Sequence, residues 1–454
     1  LLQHKVLIAN RGEIACRVIR AAKSLGLVTV AVYSDVDADA PHVRAADEAY
    51  LLGPARPAES YLNQEKVIAV AKESGATLVH PGYGFLAENP GFAEHCTGNG
   101  LIFVGPKPDV IRTMGNKERA REIALAAGVP VVPGAEDIPS DATELAATAA
   151  RVGYPLLVKA AAGGGGIGMR RVDAPADLAT ALVATRTMAE RAFGNGTVYF
   201  ERYIRRARHI EIQVFGFGDG RAVHLFERDC STQRRHQKII EEAVAPNLPE
   251  ETRAAICAVA VKLACACRYD GAGTIEFLVD ADSGEFFFLE MNTRIQVEHP
   301  VTEMVAGVDL VAAQLRYAMG EDVSAYLSQE RIQATGHAIE ARVYAERPAK
   351  NFIPSPGLIE ELVLPQGEGI RVDTGYRAGM KVTPYYDPMI MKLIAHGATR
   401  SEAIARLDAA LAALVIKGIE TNTSFVRRVL AHPAFVTARV HTMFVTDSLQ
   451  ELIS

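Results

Sequence analysis

The chain has 454 residues, with 48 lysines and arginines against 54 aspartates and glutamates and a formal net charge of −6. A single hydrophobic core rarely grows to this length, so we expect two or three subdomains. The mildly acidic balance excludes binding to nucleic acid through bulk charge, and any anion-binding site must be local.

Residues 1–115 alternate short apolar runs with amphipathic segments, a pattern typical of a parallel sheet flanked by helices. Gly26 ends the first amphipathic segment, as glycine commonly does after a helix. We predict strands at Lys5–Ala9, Thr29–Tyr33, Thr77–His80 and Leu101–Val104, and helices at Glu13–Leu25 and Val67–Glu73. The N-terminal part is therefore predicted to be a parallel α/β domain.

The middle of the chain changes from helices to strands. Two helices are predicted at Lys117–Ala127 and Ala142–Arg151. A β-rich module follows, with a helix near Leu178–Ala192 and strands at Leu156–Ala160, Met169–Val172 and Val198–Ile204. A mainly antiparallel sheet is predicted from Ile210–Phe217, Ala222–Arg228, Gly273–Val279 and Phe286–Met291. Beyond about Gln333, strands mix with a helix at Ser401–Ile416.

A glycine-rich run from Gly163 to Gly168 lies between two predicted strands. It satisfies G-x-G-x-x-G, but a dinucleotide fingerprint requires a helix next, and here a strand is predicted. No G-K-[S/T] sequence occurs, which excludes a Walker P-loop. A glycine hairpin lets backbone N–H groups close over phosphates, and Lys159 on the preceding strand adds a positive charge. The alternative is a surface loop with a solvated lysine.

Two glutamates face each other in a predicted β-hairpin that turns at a Ser-Gly pair. Counting outward from the turn places Glu276 almost opposite Glu290, and period-two alternation puts Asn292, Leu278 and Phe288 on the same face. Like charges opposed across strands are destabilising, and a hard divalent cation would remove the repulsion. Carboxylate and amide oxygens suit Mg²⁺ or Mn²⁺. The apolar neighbours favour a metal site over two solvated glutamates.

Two further segments carry polar residues at alternating positions. If the segment 230–238 is extended, residues 234, 236 and 238 share one side, although a solvated charged surface has the same pattern. Directly after the hairpin, alternation places Arg294, Gln296 and Glu298 on one side. An arginine can hold a small planar anion, and a nearby glutamate can accept its proton. A structural salt bridge is the alternative, but the adjacent metal pair favours chemistry.

The six cysteines show no C-x-x-C spacing, and three of them lie in the apolar stretch Ala254–Cys267, as buried thiols often do. The sequence contains neither a signal peptide nor an apolar run of the roughly 18 residues that a membrane-spanning helix needs. These observations predict a reduced, soluble, cytoplasmic protein.

Several longer motifs resemble those of the biotin carboxylase family, in the same order and over nearly the whole chain. They are Ile8–Ile14, His80–Leu86, Glu227–Ser231, Gln233–Lys238, Glu290–Pro300, Gly336–Arg342 and Pro384–Met389. The resemblance implies an α/β and α+β multidomain fold of the ATP-grasp type. An N-terminal α/β domain would cover residues 1–115, an ATP-grasp domain 116–330 with a mobile glycine-rich lid at about 131–204, and a C-terminal biotin carboxylase domain 331–454.

The resemblance also implies a site for ATP and a divalent cation. Glu276 and Glu290, with Asn292 close by, would hold Mg²⁺ or Mn²⁺, in agreement with the hairpin count. The residues implied in ATP binding are Lys117, Lys159, Gly165, Gly166, Glu201, Arg202, Ile204, His209, Gln233, His236, Glu276 and Glu290.

The implied reaction is ATP-dependent carboxylation of biotin with bicarbonate through carboxyphosphate, the first half-reaction of an acyl-CoA carboxylase. Glu298 would be the general base, and Arg342 would stabilise the enolate-like oxygen of biotin. The implied bicarbonate-binding residues are Lys238, Arg294, Gln296, Val297 and Glu298. Lys238, Arg294, Glu298 and Arg342 are therefore the expected catalytic residues.

Biotin is expected to arrive on a separate carrier protein or domain. Met389–Leu393 superficially resembles a biotinylation sequence, but its Lys392 lies within a C-terminal motif, and no carrier-length segment follows before Ser454. We therefore predict that Lys392 is not biotinylated. A carboxyltransferase subunit and a second copy of the chain, in a homodimer, are the other expected partners.

Three residues depart from the family's pattern. Ile167 stands where the lid usually carries Arg or Lys, which removes one lid contact. Arg202 replaces a usual lysine, at a position where the expected adenine contacts are largely backbone. Glu368 stands where the family's best-known dimer has an aromatic residue, so a dimer interface here would differ.

Two other functions fit parts of the sequence. One is an ATP-grasp ligase that passes a phosphorylated carboxylate to another nitrogen nucleophile, and the other is a catalytically silent nucleotide-binding subunit. Arg342 and the Arg294–Glu298 loop favour biotin and bicarbonate over the first. The retention of the expected charged residues outside the lid disfavours the second.

Overall fold

The computed structural model describes residues 4–160, 169–193 and 195–453. The N-terminal part is a parallel sheet of five strands in the order β3-β2-β1-β4-β5. Its elements are β1 Lys5–Ile8, α1 Gly12–Ser24, β2 Val28–Ser34, α2 Pro41–Ala45, β3 Glu48–Gly53, α3 Gln64–Ser74, β4 Leu78–His80, α4 Pro90–Gly98, β5 Ile102–Phe103 and α5 Pro108–Gly115. The predicted parallel α/β sheet is confirmed.

Strand β1 is apolar after Lys5 because both of its faces are covered. Val6 and Ile8 belong to one hydrophobic core and Leu7 to a second core on the other side. Burial on both faces is typical of parallel sheets. Helix α3 begins three residues before its predicted start because the Asn63 side chain accepts a hydrogen bond from the Lys66 N–H, and it ends at Gly75 in the left-handed conformation.

A small antiparallel sheet in the order β6-β9-β7-β8 follows, with its own core. Its part of the chain contains α6 Lys117–Ala126, β6 Gly134–Ala135, α7 Ala142–Val152, β7 Leu156–Ala160, β8 Met169–Val172, α8 Leu178–Phe193 and β9 Val198–Arg202. Lys159 pairs with Met169, so a strand, not a helix, follows the glycine-rich run. The run itself, with Gly165, Gly166 and Ile167, lies outside the described residues.

The largest sheet has eight antiparallel strands in the order β14-β13-β10-β11-β12-β15-β22-β20. Its first part contains β10 Ala207–Phe217, β11 Ala222–Arg234, β12 Gln237–Ala243, α9 Glu250–Ala266, β13 Asp270–Asp280, β14 Phe286–Asn292, α10 His299–Ala306 and α11 Leu310–Ala318. Because β12 pairs with β15, this sheet continues without interruption into the C-terminal part.

The C-terminal part adds three strands to that sheet and covers it with helices. It contains β15 His337–Tyr344, β16 Glu346–Arg347, β17 Ile353–Pro354, β18 Gly357–Leu358, β19 Glu361–Val363, β20 Ile370–Thr374, β21 Lys381–Val382, β22 Met389–Gly397, α12 Arg400–Ala413, β23 Val415–Lys417, α13 Thr423–Ala431, α14 Pro433–Val436, α15 Phe444–Asp447 and α16 Leu449–Ile453. Among the described residues, no helix combines the length and the apolar character needed to cross a membrane.

Three local predictions were wrong. The helix predicted to reach Ile416 ends at Ala413, because residues 415–417 pair with β19. The segment 230–238 is not extended throughout: β11 ends at Arg234, and the chain turns at Arg235 and His236, which both have positive φ, before β12 begins. Arg234 is therefore directed to Glu346, away from Lys238.

The third error concerns the register of the hairpin β13–β14. Glu276 pairs with Glu290 as predicted, but the register then shifts, and Phe277 pairs with Phe288. This bulge leaves Leu289 exposed and turns Phe288 into the core on the opposite face, against the prediction that it shares the face of the glutamates. A bulge commonly re-aims side chains in this way.

Candidate active site

A cleft of about 670 Å³ opens between the four-stranded sheet and the eight-stranded sheet. Strand β9 lies on one side of it, and strands β10–β15 with the segment after β14 lie on the other. The predicted site residues that line it are Glu201, Arg202, Ile204, His209, Gln233, His236, Lys238, Glu276, Glu290, Asn292, Arg294, Gln296, Val297, Glu298 and Arg342. One cleft thus brings together residues that are far apart in the sequence.

Two predicted phosphate ligands lie beside this cleft and do not line it. The Lys159 Nζ donates a hydrogen bond to Glu201 Oε1 at 2.7 Å. Lys117 begins helix α6, and its charge acts to lower the pKa of Glu290. Both lysines therefore lie next to residues of the cleft.

Lys238 is the centre of the charged network in the cleft. Its Nζ donates to Glu211 Oε2 at 2.5 Å, to Glu298 Oε1 at 2.7 Å and to Glu276 Oε1 at 3.0 Å. Burial alone would lower the pKa of Lys238, but these three carboxylates outweigh it and hold the pKa well above its usual value. Lys238 is therefore a fixed positive charge among anions.

Glu298 is 2% exposed and is held through both of its oxygens. Oε1 accepts from Lys238, and Oε2 accepts from Arg342 Nη2 at 3.0 Å. Burial would raise the pKa of Glu298, but Lys238 and Arg342, with Arg228, keep it well below its usual value. In this state Glu298 is an ionised carboxylate, the form that can accept a proton.

Glu276 and Glu290 face each other across the hairpin, but they differ in the number of hydrogen bonds that they accept. Glu276 accepts from Lys238, from Asn292 Nδ2 at 2.9 Å, from Gln296 Nε2 at 2.7 Å and pairs with His209 Nε2 at 2.7 Å. Glu290 makes no hydrogen bond or ion pair within the described part of the chain. Burial and the charge of Glu276 raise the pKa of Glu290. A hard divalent cation between the two carboxylates would relieve this repulsion, so the pair fits Mg²⁺ or Mn²⁺.

The third predicted metal ligand, Asn292, uses both ends of its side-chain amide in hydrogen bonds within the protein. Its Oδ1 accepts from Arg294 Nη2 at 2.9 Å, while its Nδ2 donates to Glu276. Another group of three potential ligands is formed by His209, Glu211 and Glu276, whose ligand atoms lie within 4.8 Å of one another. Lys238 and His209 already supply hydrogen bonds to those carboxylates, so that group is compensated within the protein.

One side of the cleft, where the predicted nucleotide-binding residues Ile204 and His209 lie, combines an apolar wall with a polar edge. Ile204 and Leu278 pack in a small cluster with Val132, Ala207 and Phe287. The polar edge includes the ring of His209, whose Nδ1 lies 2.8 Å from Gln233 Nε2. Apolar walls with a few fixed polar groups are typical of sites for small organic ligands.

Arg294 lies where the cleft meets the N-terminal sheet. Its Nε donates to Glu88 Oε2 at 2.8 Å, and Glu88 also accepts from the Thr293 N–H. Arg294, Gln296 and Glu298 all line the cleft, but Val297 lines it too and this segment is not a strand, so period-two alternation does not describe it. The contact with Glu88 was not predicted, because it joins segments some two hundred positions apart.

Three buried charged residues were missed by the sequence analysis. Glu211 accepts from Lys238, and Arg228 donates to Glu211 at 2.6 Å and to Gln296 at 2.6 Å. Glu241 accepts from Arg342 Nε at 2.5 Å. No local signal marks Glu211, because Ile210–Val214 alternates apolar and polar residues, which predicts a strand with one solvent-exposed face.

Lys392 is completely buried, in line with the prediction that it carries no biotin. Its Nζ donates to the Val297 carbonyl at 2.8 Å and pairs with Glu13 at 3.1 Å. In the folded chain Lys392 is thus enclosed and engaged, and it supports the backbone of a predicted bicarbonate-binding residue.

Comparison with known proteins agrees with this geometry. Residues 2–111 match the family model "Biotin carboxylase, N-terminal domain", residues 116–326 match "Carbamoyl-phosphate synthase L chain, ATP binding domain", and residues 340–447 match "Biotin carboxylase C-terminal domain". Biotin carboxylase 2 of Bacillus subtilis is 51% identical over 445 residues, which cover 98% of this chain and 99% of that protein. The chain belongs to the biotin carboxylase family.

Other members of the biotin carboxylase family are longer than this chain. The mitochondrial methylcrotonoyl-CoA carboxylase subunit alpha of Mus musculus is 49% identical, and the match covers 99% of this chain but 62% of that protein. Among solved structures, the dimeric biotin carboxylase domain of the 2-oxoglutarate carboxylase from Hydrogenobacter thermophilus, in complex with MgADP, ADP and bicarbonate, matches with a TM-score of 0.88. It is 44% identical, covering 99% of this chain and 98% of that one.

The family membership settles the fold and the reaction. The three-domain ATP-grasp architecture of biotin carboxylases is the fold of this chain. The activity is that of a ligase, the ATP- and bicarbonate-dependent carboxylation of biotin.

Proposed function

We propose that the cleft carries out this reaction in two steps, activation of bicarbonate by ATP and transfer of the carboxyl group to biotin. The supporting observation is the triad formed by Lys238, Glu298 and Arg342, in which a buried carboxylate lies between two cations. The cations attract bicarbonate, and the carboxylate accepts its proton.

In the first step Glu298 takes the proton of bicarbonate, and a bicarbonate oxygen attacks the γ-phosphorus of ATP. The bond from the γ-phosphorus to the β-γ bridging oxygen breaks, ADP leaves and carboxyphosphate forms. Lys238, Arg294, Gln296 and the Val297 backbone hold the anion. As bicarbonate draws hydrogen bonds of Lys238 away from Glu298, the carboxylate loses compensation and becomes a stronger base.

The nucleotide is proposed to lie along the lid side of the cleft. Lys117 and Lys159, with the backbone of Gly165 and Gly166, bind phosphates, while Glu201, Arg202, Ile204, His209, Gln233 and His236 surround the nucleoside. Glu276 and Glu290 hold the metal ion, with Asn292 beside them. When bound, the divalent cation neutralises charge on the phosphate oxygens during transfer.

In the second step carboxyphosphate splits into CO₂ and phosphate. The phosphate takes the proton of the biotin ureido nitrogen, and that nitrogen attacks CO₂. Arg342 stabilises the negative charge that develops on the ureido oxygen. Its position supports this role, because its Nη2 binds Glu298 and its side chain lines the same cleft.

We further propose that biotin reaches the cleft on a carrier protein or domain and then passes to a carboxyltransferase that acts on an acyl-CoA. The burial of Lys392 supports a biotin attached elsewhere. A homodimer is proposed from the dimeric state of the Hydrogenobacter thermophilus domain. A reducing compartment such as the cytoplasm is supported by six cysteines without disulfide partners.

The proposed domain division follows residues 1–115, 116–330 and 331–454, with a lid at about 131–204. The lid is supported by the separate sheet whose strands run from Gly134 to Arg202. The last boundary is supported by the stretch without long elements between α11 and β15.

Oxygen labelling tests the first step. With bicarbonate labelled in all three oxygens, attack on the γ-phosphorus predicts one labelled oxygen in each phosphate released during biotin carboxylation. Mass spectrometry of the phosphate measures it. Unlabelled phosphate, which attack by water on the γ-phosphorus would give, would contradict activation through carboxyphosphate.

A further inference from the structure

Two completely buried glutamates face each other across neighbouring strands behind the candidate base. Glu241 on β12 pairs in register with Glu340 on β15, and neither side chain reaches solvent. Directly opposed residues place their Cβ atoms about 5 Å apart, and like charges there are destabilising. Something must compensate this pair.

The nearest cations are already engaged by other groups. Arg342 donates through Nε to Glu241 Oε1 and through Nη2 to Glu298. Lys392, across the sheet from Arg342, donates to the Val297 carbonyl and pairs with Glu13. Glu340 Oε1 and Oε2 and Glu241 Oε2 accept no hydrogen bond from the described residues. Glu340 thus has no cation of its own.

The remaining charged groups around the pair do not supply one. On the opposite face of the sheet, Glu242 is bound by His337 and Arg400. Helix α10 packs against β15 and carries His299, whose pKa burial and the nearby Lys392 hold well below its usual value, so the ring is neutral. Glu303, also on α10, is paired with arginines on α1 and β20.

An ionised, unpaired carboxylate in such a place is costly, and the group takes up a proton instead. Burial and the neighbouring carboxylates raise the pKa of Glu340 well above its usual value, although Lys392 opposes this. Burial also raises the pKa of Glu241, but less than that of Glu340, because Arg342 binds Glu241 directly and acts to lower its pKa. Of the two glutamates, Glu340 is therefore the one that carries a proton.

We propose that Glu241 is a positioning residue that orients Arg342 for the carboxylation of biotin, and that Glu340 stays protonated beside it so that Glu241 stays ionised. The guanidinium has five N–H donors, and Glu241 fixes the inner one. The terminal nitrogens are then held between Glu298 and the cleft. This inference rests on the proposed role of Arg342.

The test compares substitutions that keep shape and change charge. In Glu241→Gln, Arg342 loses its anionic anchor, so the kcat for carboxylation of free biotin should fall roughly 10- to 100-fold, while the KM for ATP changes less than about threefold. Glu241→Asp should recover part of the loss. Glu340→Gln replaces a neutral carboxyl with a neutral amide and should keep at least about half of the activity.

Glu242→Gln is the matched control, since it removes a buried carboxylate from the same strand on the other face. It should lower the melting temperature without changing the ratio of biotin-dependent to biotin-independent ATP cleavage. In Glu241→Gln that ratio should fall, which a general loss of folded enzyme would not cause. An infrared difference spectrum between wild type and Glu340→Gln should show loss of a protonated carboxyl band.

Several results would overturn the inference. An unchanged ratio of biotin-dependent to biotin-independent ATP cleavage in Glu241→Gln would contradict the positioning role of Glu241. A loss of activity in Glu340→Gln as large as that in Glu241→Gln would show that Glu340 is not the protonated partner. Glu340→Met provides a second neutral variant if the amide impairs folding. Failure of the proposed function is distinguishable, because the wild-type enzyme itself would then form no carboxybiotin.

Discussion

The proposed base, Glu298, is held by two cations. Lys238 and Arg342 bind one oxygen each and keep the pKa of Glu298 low. In the proposed mechanism an incoming bicarbonate competes for the same donors, so the anion that must lose a proton also strengthens the group that takes it. This coupling links binding of bicarbonate to its activation.

Replacing Glu298 with Gln tests the base directly. The amide keeps a hydrogen-bond acceptor but cannot take a proton, so kcat for bicarbonate-dependent ATP cleavage should fall about 10²- to 10⁴-fold. The KM for ATP should change little, because Glu298 does not belong to the proposed nucleotide contacts. Steady-state kinetics measures both, and Asp408→Asn, which breaks the exposed ion pair with Arg427, is the control for a lost negative charge. A fall below tenfold would rule out the role of Glu298.

The side chains of the site were predictable where neighbours in sequence are also neighbours in space. Arg294, Gln296 and Glu298 could be assigned because one short motif brings them to one cleft. The partners Glu88 and Glu241 could not, because each comes from a distant segment and carries no local pattern. Long-range pairing of buried charges requires the fold first.

At the scale of elements, the hairpin β13–β14 positions the two glutamates of the proposed metal site. The pairing of Glu276 with Glu290 followed from counting outward from a turn. The bulge after that pair could not be predicted by alternation, which assumes a constant period of two. As a result the glutamates face the cleft while Phe288 returns to the core.

Neutralising Glu276 and neutralising Glu290 should change the free energy of unfolding in opposite directions. Glu276→Gln removes a compensated charge and should lower the free energy of unfolding by about 3–5 kcal/mol. Glu290→Gln removes an uncompensated charge whose raised pKa marks repulsion, so without metal at neutral pH stability should stay within about 1 kcal/mol of wild type, in the stabilising direction. Differential scanning calorimetry measures the difference.

Metal binding gives this prediction a second readout. Adding Mg²⁺ to the nucleotide-bound enzyme should raise the melting temperature of wild type, because a ligand that binds only the folded state stabilises it. Neither variant should show this extra shift. If Glu290→Gln kept the full shift with Mg²⁺, the metal would not lie between the two glutamates.

At the scale of the whole molecule, two buried histidines make the stability of the N-terminal domain depend on pH. Burial lowers the pKa of His42 and of His80 to about 4 each. Unfolding returns them to about 6.5, so between these values the unfolded state binds more protons. Their contribution to stability is therefore complete above pH 6.5 and is lost as the pH falls toward 4.

The stability of the variant His42→Gln should depend less on pH than that of wild type. Each buried histidine steepens the fall of the free energy of unfolding by up to about 1.4 kcal/mol per pH unit in that window. The melting temperature of the variant should thus improve relative to wild type as the pH falls from 7 to 5. His95→Gln, at a partly exposed histidine, is the control. A difference that stays constant with pH would contradict the assignment.

The architecture could be predicted only in part. Alternating strands and helices identified the parallel N-terminal sheet, because local periodicity determines such units. The continuous sheet that joins β12 to β15 could not be predicted, since pairing across nearly a hundred residues leaves no periodic signal. Likewise, residues 415–417 form a strand only because β19 lies beside them.

The central claim is that one cleft couples ATP cleavage to bicarbonate and then to biotin. The most direct measurement is ADP release by the purified chain with Mg²⁺ and ATP, with and without bicarbonate and with and without free biotin. Cleavage that requires bicarbonate, is accelerated by biotin and yields carboxybiotin is the predicted result. ATP cleavage that is indifferent to both substrates would contradict the account.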